Sequence, residues 1–203
     1  MPDDTRLLAR RSVSAVSLGC MSLSHGYGEK SSSKHSEKFL HQALDLGYTM
    51  LDTAAVYGHG HNESMIGQFI SQRRSEFFLA SKCGFGQQPD SQPSIIGRPE
   101  YIKATCEASL KRLQTDHIDL YYLHRRDMNV PLEDSIGALA DLCQEGKIGA
   151  VGVSEISAAD LHKAHAEHPI SAIQSEYSLW TRNVEIEVRE ASQTIGPAFL
   201  AFN

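Results

Sequence analysis

Leu18-Gly19-Cys20-Met21-Ser22-Leu23 is the stretch that decides the architecture, because it forms the first turn from strand to helix in a chain of serial βα units. A doubly wound dinucleotide-binding sheet opens that turn with G-x-G-x-x-G, whose glycines admit a pyrophosphate at the helix N-terminus. Here one glycine is followed by Cys20, Met21 and Ser22, so that phosphate turn is absent. The remaining way to arrange serial βα units is a (β/α)8 barrel, an α/β fold that needs eight strands and about 250 residues. The 203 residues present carry about six βα units and a seventh strand, so the expected TIM barrel is incomplete.

Working outward, Val13 to Leu18 reads as the first strand, preceded by a short hairpin arm around Leu7 and Leu8. Ser36 to Leu46 places Phe39, Leu40, Ala43 and Leu44 on one helical face, with Gly47 as C-cap. Tyr48 to Thr53 and Phe77 to Lys82 read as strands flanking a helix over Glu63 to Ile70. Gly84 to Gly97, rich in Gly, Gln, Pro and Ser, reads as a long βα loop over the active site. Pro99 opens a helix to Leu113, and the apolar run Ile118 to Leu123 is a buried strand. Leu132, Ile136, Leu139 and Cys143 line the next helix, ended by Gly146. Strand Ile148 to Val153, a helix capped by Ser157, strand Ile170 to Gln174, helix Val184 to Ser192 and strand Ala198 to Phe202 complete the alternation. Nothing in this run reads as a linker, so residues 1–203 form a single domain.

Composition narrows the function. The chain is 41% hydrophobic with 15 glycines, ordinary for a globular domain. Lys+Arg number 19 against 25 Asp+Glu, a net charge of −6 with no block of like charge, which argues against nucleic acid and for a small-molecule partner. Cys20, Cys83, Cys106 and Cys143 lie far apart without a C-x-x-C and read as reduced, mostly buried thiols of a cytoplasmic protein. Met1 to Arg6 lacks the apolar run of a signal peptide, and no apolar stretch is long enough for a membrane span. His162, His165 and His168 recur every third residue, but at 100° per residue the outer two diverge by about 240°, so they do not share a metal. No metal site is expected. His59 and His61 read as loop or pocket-lining residues, and Trp180 as a loop aromatic that either contacts substrate or packs.

In such barrels, functional side chains stand at the C-terminal ends of strands. Asp52 ends the second strand, Tyr57 follows in its loop, Lys82 ends the third and His124 ends the fourth. Each alone has a plain structural reading as a cap, rim lysine, packed tyrosine or core histidine. Four on successive strand ends favour chemistry. An aspartate and a lysine there can pair, and an ammonium beside a phenol favours the phenolate. That makes Tyr57 a proton donor near neutral pH, with His124 offering a second hydrogen bond to an oxygen in the same mouth.

Leu51-Asp52-Thr53-Ala54-Ala55-Val56-Tyr57-Gly58, Asn62-Glu63-Ser64, Ser81-Lys82, Leu120-Tyr121-Tyr122-Leu123-His124 and Gly152-Val153-Ser154 together resemble the aldo-keto reductase family, and the resemblance runs from about Val13 to Asn203. It implies a (β/α)8 barrel that reduces aldehydes and ketones with NADPH. By resemblance Tyr57 is the general acid, Lys82 assists its ionisation, Asp52 holds Lys82 and His124 orients the carbonyl. It also implies that Ser154 and Gln174 bind the nicotinamide carboxamide, beside a tetrad position, Asp52, at the same shelf. Two positions depart from the family pattern. Glu155 stands where many members have Asn, and an ionised carboxylate cannot donate to a carboxamide oxygen. Phe202 stands where many have a tyrosine stacked on the nicotinamide, which keeps the ring face.

The resemblance further implies that the chain is C-terminally truncated. The rest of strand 7, strand 8 and a basic segment that grips the cofactor phosphates lie beyond the pattern present, so the choice of NADPH over NADH stays open, as does the oligomeric state. Exposed sheet edges are expected. Two other readings follow, a cofactor-binding or regulatory barrel and a catalytically dead fragment, and the carbonyl substrate is not specified.

Overall fold

The computed structural model describes residues 4–24, 32–86 and 94–203. An antiparallel hairpin, β1 (Thr5–Leu8) and β2 (Arg11–Ser14), precedes β3 (Leu18–Gly19), α1 (Ser33–Asp45), β4 (Met50–Asp52), α2 (His61–Ile70) and β5 (Phe78–Cys83). A two-residue antiparallel pair, β6 (Phe85–Gly86) and β7 (Ser94–Ile95), leads to α3 (Pro99–Leu113) and β8 (Leu120–Leu123). Then follow α4 (Leu132–Gln144), β9 (Val151–Ser154), α5 (Ala158–Glu167), β10 (Ile170–Glu176), α6 (Val188–Ile195) and β11 (Ala198–Phe202).

Seven strands form one parallel sheet in the order β3-β4-β5-β8-β9-β10-β11. That spatial order is the chain order, with no reversal of the kind that puts helices on both faces of a doubly wound sheet. Right-handed crossovers in one direction place every helix on the same side. The side chains agree. Leu51, Leu79, Tyr121, Leu123, Val151, Val153 and Ile173 join the helices in one core. Their alternate neighbours Met50, Phe78, Ala80, Leu120, Tyr122 and Ala172 form a second core on the other face. No helix among the described residues covers that inner face, which curves on itself as a barrel wall and is filled by its own side chains. The fold is an incomplete (β/α)8 barrel whose sheet ends at β3 on one side and β11 on the other among the described residues.

The hairpin plugs the inner core at its N-terminal end, where Leu8 and Val13 pack on that second cluster. Arg11 Nη1 reaches Asp119 at 2.5 Å, and Arg74 meets the same carboxylate at 2.6 Å. This corrects the expected first strand: Val13 belongs to the hairpin, and the barrel strand is confined to Leu18–Gly19. The hairpin turn uses Ala9 and Arg10, both at positive φ, as a type I′ turn requires, but without the Asn or Gly that announces one. The sixth helix also starts later than expected, at Val188, after a 3-10 turn over Asn183–Glu185. Part of the expected 84–97 loop is β6 and β7, and its remainder, 87–93, lies outside the described residues. No helix among the described residues is long and apolar enough to cross a membrane.

α2 and α3 meet closely enough that a Cβ built on Gly67 would lie 2.3 Å from the Arg112 carbonyl oxygen and 2.6 Å from the Leu113 carbonyl carbon. Both are backbone atoms, which cannot swing aside. Gly67→Ala is therefore expected to destabilise the protein by about 1–3 kcal/mol, since an inserted methyl forces the helices apart. Chemical denaturation checks this, and a midpoint unchanged at constant slope would refute the close approach.

Candidate active site

Strand periodicity delivers polar groups to one end of the barrel. On the inner face Met50 is followed by Asp52, Ala80 by Lys82, Tyr122 by His124, Gly152 by Ser154 and Ala172 by Gln174. The registers Lys82↔Tyr122, Tyr122↔Gly152 and Gln174↔Ser154 keep these residues in layers. Gly152 is required there, because a Cβ would sit 2.4 Å from the Tyr122 ring. That ring lies directly beneath the site, its centroid 5.9 Å from Lys82 Nζ.

Lys82 is 1% exposed, and its ammonium has three oxygen neighbours. It pairs with Asp52 Oδ1, donates to the Thr53 carbonyl at 2.9 Å and lies 3.4 Å from the Tyr57 hydroxyl. Burial alone would push this ammonium down. The Asp52 carboxylate and the Tyr57 hydroxyl outweigh that effect and hold it above the ordinary lysine value. The other Asp52 oxygen accepts from Gln174 Nε2 at 3.0 Å, so one carboxylate joins β4, β5 and β10 across the mouth. His124 stands edge-on to Tyr57, ring centroids 6.1 Å apart, and edge-on to Phe85 at 4.9 Å. Burial, then the Lys82 and Arg125 cations, push its imidazole down to about 2, so it is a neutral ring at physiological pH.

A cavity of about 570 Å³ opens over this layer. Asp52, Tyr57, His124, Ser154, Gln174 and Phe202 line it, while Lys82 lies behind the wall. All the anticipated site residues therefore converge on one mouth. Glu155 does not line it: at φ +50 it turns away and accepts the Glu176 amide at 2.6 Å, tying two strand ends together. Trp180 is 96% exposed and also lies outside the lining. His61 bonds Ser24 at 3.0 Å, and His59 faces a separate hollow of about 330 Å³. Cys20 lines the main cavity, but burial pushes its thiol up to about 12, which leaves it an unreactive thiol.

Two features went unassigned at the level of sequence. Asn62 and Glu63, both fully buried, open α2 directly behind the Tyr57 loop. Asn62 accepts from Thr53 Oγ1 at 2.7 Å and donates to the Cys20 carbonyl at 2.7 Å and to Ser24 Oγ at 3.0 Å. Glu63 accepts from Ser81 Oγ at 2.6 Å and from Arg112 Nε at 2.8 Å. The pair thus clamps the ends of β3, β4 and β5 around Lys82. The available signal was two polar residues heading an otherwise apolar helix face. The second feature is Arg125, which lines the cavity and donates from Nη1 to Ser154 Oγ at 3.1 Å and to the His124 carbonyl at 2.6 Å. Its position directly after His124 was the readable sign.

The family model for the Aldo/keto reductase family matches residues 15–202. The chain belongs to this family. It is 38% identical over 192 residues to a probable aldo-keto reductase 1 of Glycine max, an alignment covering 94% of this chain and 56% of that protein. It superposes on the holo form of an aldo-keto reductase from Bacillus halodurans with TM-score 0.88 and 31% identity, covering 98% of this chain and 65% of that one. A glycerol dehydrogenase of Gluconobacter oxydans superposes with TM-score 0.89 and 29% identity, covering 99% and 63%. The chain therefore spans about 56% of the length of the curated relative and under two thirds of these two solved structures.

Two expectations follow from the site electrostatics. The His124 ring should show no protonation midpoint between about pH 4 and pH 8 when followed by imidazole NMR, whereas a midpoint near the free value of about 6.5 would contradict its burial. Because the Lys82 value is raised on folding, the pair contributes its full stability below the ordinary value of 10.5 and loses it as pH rises through the higher folded value. Lys82→Met should accordingly lower stability by about 3–5 kcal/mol near neutral pH, by stranding the Asp52 carboxylate, and shrink toward zero difference at alkaline pH. Denaturation midpoints of both proteins across pH measure this, and a difference independent of pH would refute it.

Proposed function

We propose that this chain carries the catalytic centre of a reductase that converts aldehydes or ketones to alcohols with NADPH, or with NADH in its place. The observation that carries the reading is the Lys82 ammonium held between Asp52 and the Tyr57 hydroxyl in the wall of a cavity sized for a small molecule. Similarity to a protein named a glycerol dehydrogenase supports it, since alcohol oxidation and carbonyl reduction are one reaction run in two directions.

The residues present fit a nicotinamide carboxamide, which needs a donor and an acceptor side by side. Ser154 accepts from Arg125 and keeps its own hydroxyl hydrogen to give. Gln174 spends its amide nitrogen on Asp52 and keeps its carbonyl oxygen free to accept. These two strand-paired residues would hold the carboxamide, with the Phe202 ring as a side wall. When bound, the cofactor supplies a hydride to the carbonyl carbon.

Tyr57 gives its hydroxyl proton to the carbonyl oxygen as the C=O π bond opens, and regains it from solvent. Lys82 stabilises the phenolate left behind, and its own charge is fixed by Asp52. Neutral His124 acts as hydrogen-bond donor to the same oxygen, so the proton transferred comes from Tyr57. A second reading, a barrel that holds the cofactor without turnover, draws on the same carboxamide shelf of Ser154 and Gln174, which needs no proton donor to bind.

Tyr57→Phe removes the proton and leaves the ring and the carboxamide shelf. Turnover of a simple aromatic aldehyde should fall by roughly 10²–10⁴, with NADPH affinity little changed. Turnover within threefold of the parent sinks the assignment, and NADPH binding without reduction in the parent supports the second reading.

A further inference from the structure

Five arginines among the described residues are half-buried: Arg73, Arg74, Arg112, Arg125 and Arg126. Four of them hold a carboxylate, namely Asp45 and Glu76, Asp119, Glu63 and Asp160. Arg125 makes no salt bridge among the described residues, although burial pushes its guanidinium below the ordinary value. A half-withdrawn cation without a counter-ion carries a desolvation penalty that a neighbouring anion removes.

The nearby acids act on this cation without forming an ion pair with it, Glu155 attracting it from beyond salt-bridge distance. Asp52 is bonded to Lys82 and Gln174, and the Glu155 carboxylate takes the Glu176 amide. Glu176 lines the same cavity but forms no ion pair with Arg125. The guanidinium itself is half-committed. Nη1 bonds Ser154 and the His124 carbonyl, which fixes the plane, while Nε and Nη2 have no partner among the described residues and are not buried. An Nε–Nη2 edge held in place is the fork that receives a carboxylate or phosphate through two parallel hydrogen bonds. Arg125 lines the cavity that Tyr57 and His124 also line.

We propose that Arg125 is a specificity-determining residue that selects carbonyl substrates bearing a carboxylate or phosphate. The inference rests on the reductase reading above and names the substrate class for that site. The same charge could meet a phosphate of the cofactor, and the experiment separates these two sources.

The probes are 4-carboxybenzaldehyde and its methyl ester, which share a para-substituted ring and differ in charge; the ester withdraws electrons more strongly, so a preference for the carboxylate runs against intrinsic carbonyl reactivity. The parent protein should reduce the carboxylate with kcat/KM about tenfold or more above the ester, as a charge-assisted bidentate pair allows. That ratio should shrink as salt is raised. In Arg125→Met it should fall to about one or lower, and Arg125→Lys should restore part of it. A parent ratio near one, or a ratio that survives in Arg125→Met, overturns the proposal. A weakened NADPH dissociation constant in Arg125→Met that lowers both aldehydes equally assigns the charge to the cofactor and overturns it too. If neither aldehyde is reduced, the reductase reading fails, and direct binding of 4-carboxybenzyl alcohol by calorimetry judges Arg125 alone: binding abolished in Arg125→Met sustains the proposal, and no binding to the parent overturns it.

Discussion

The buried pair of Lys82 and Asp52 is the constraint on which the rest of the site depends. Two charges removed from water are tolerated only when their mutual attraction is supplemented by hydrogen bonds to every remaining hydrogen and lone pair. Lys82 meets that condition with the Thr53 carbonyl and the Tyr57 hydroxyl, and Asp52 meets it with Gln174. Each of those partners comes from a different segment. The pair therefore dictates where β4, β5, β10 and the Tyr57 loop stand relative to one another, and the geometry of the proposed acid-base centre is a by-product of satisfying a buried ion pair.

That demand explains the second shell of polar groups, which lies on the helix side of the sheet. Ser81 precedes Lys82 and points the opposite way, so its bond to Glu63 fixes the root of the lysine without entering the cavity. Asn62 does the same for Thr53, whose carbonyl the ammonium uses. A fully buried Glu63 would be costly alone, and Arg112 offsets its charge from α3, at the point where Gly67 lets the two helices approach. Helix packing and catalytic geometry are thus linked through one dipeptide.

The features legible from sequence were those with a short period. Alternation within a strand marks Asp52, Lys82 and His124 as the last inward residues after apolar neighbours, and Ser154 and Gln174 repeat that pattern two strands further on. What stayed hidden depends on contacts between distant segments or on backbone conformation without a residue signature. Ala9 and Arg10 form a hairpin turn lacking its usual glycine, so Val13 was placed in the barrel rather than in the plug. Glu155 was weighed as a cofactor contact, and only its positive φ and the amide of Glu176 reveal a strand tie. That Arg125 makes no salt bridge among the described residues while four other half-buried arginines do is likewise invisible until distant segments are brought together.

The site divides unevenly across the sheet. The half proposed to handle the proton, Asp52, Tyr57, Lys82 and His124, stands on or just after β4, β5 and β8, each paired on both sides and backed by the helix core. The shelf formed by Ser154 and Gln174 is also internal, since β9 and β10 each have two neighbours. Phe202 stands apart on β11, which has one partner strand, and it is 38% exposed. Tyr57 and Lys82 are thus anchored by strands that each carry two ladders and by the buried pair with Asp52, so the arrangement of the groups proposed to handle the proton rests on the interior of the described sheet and not on β11.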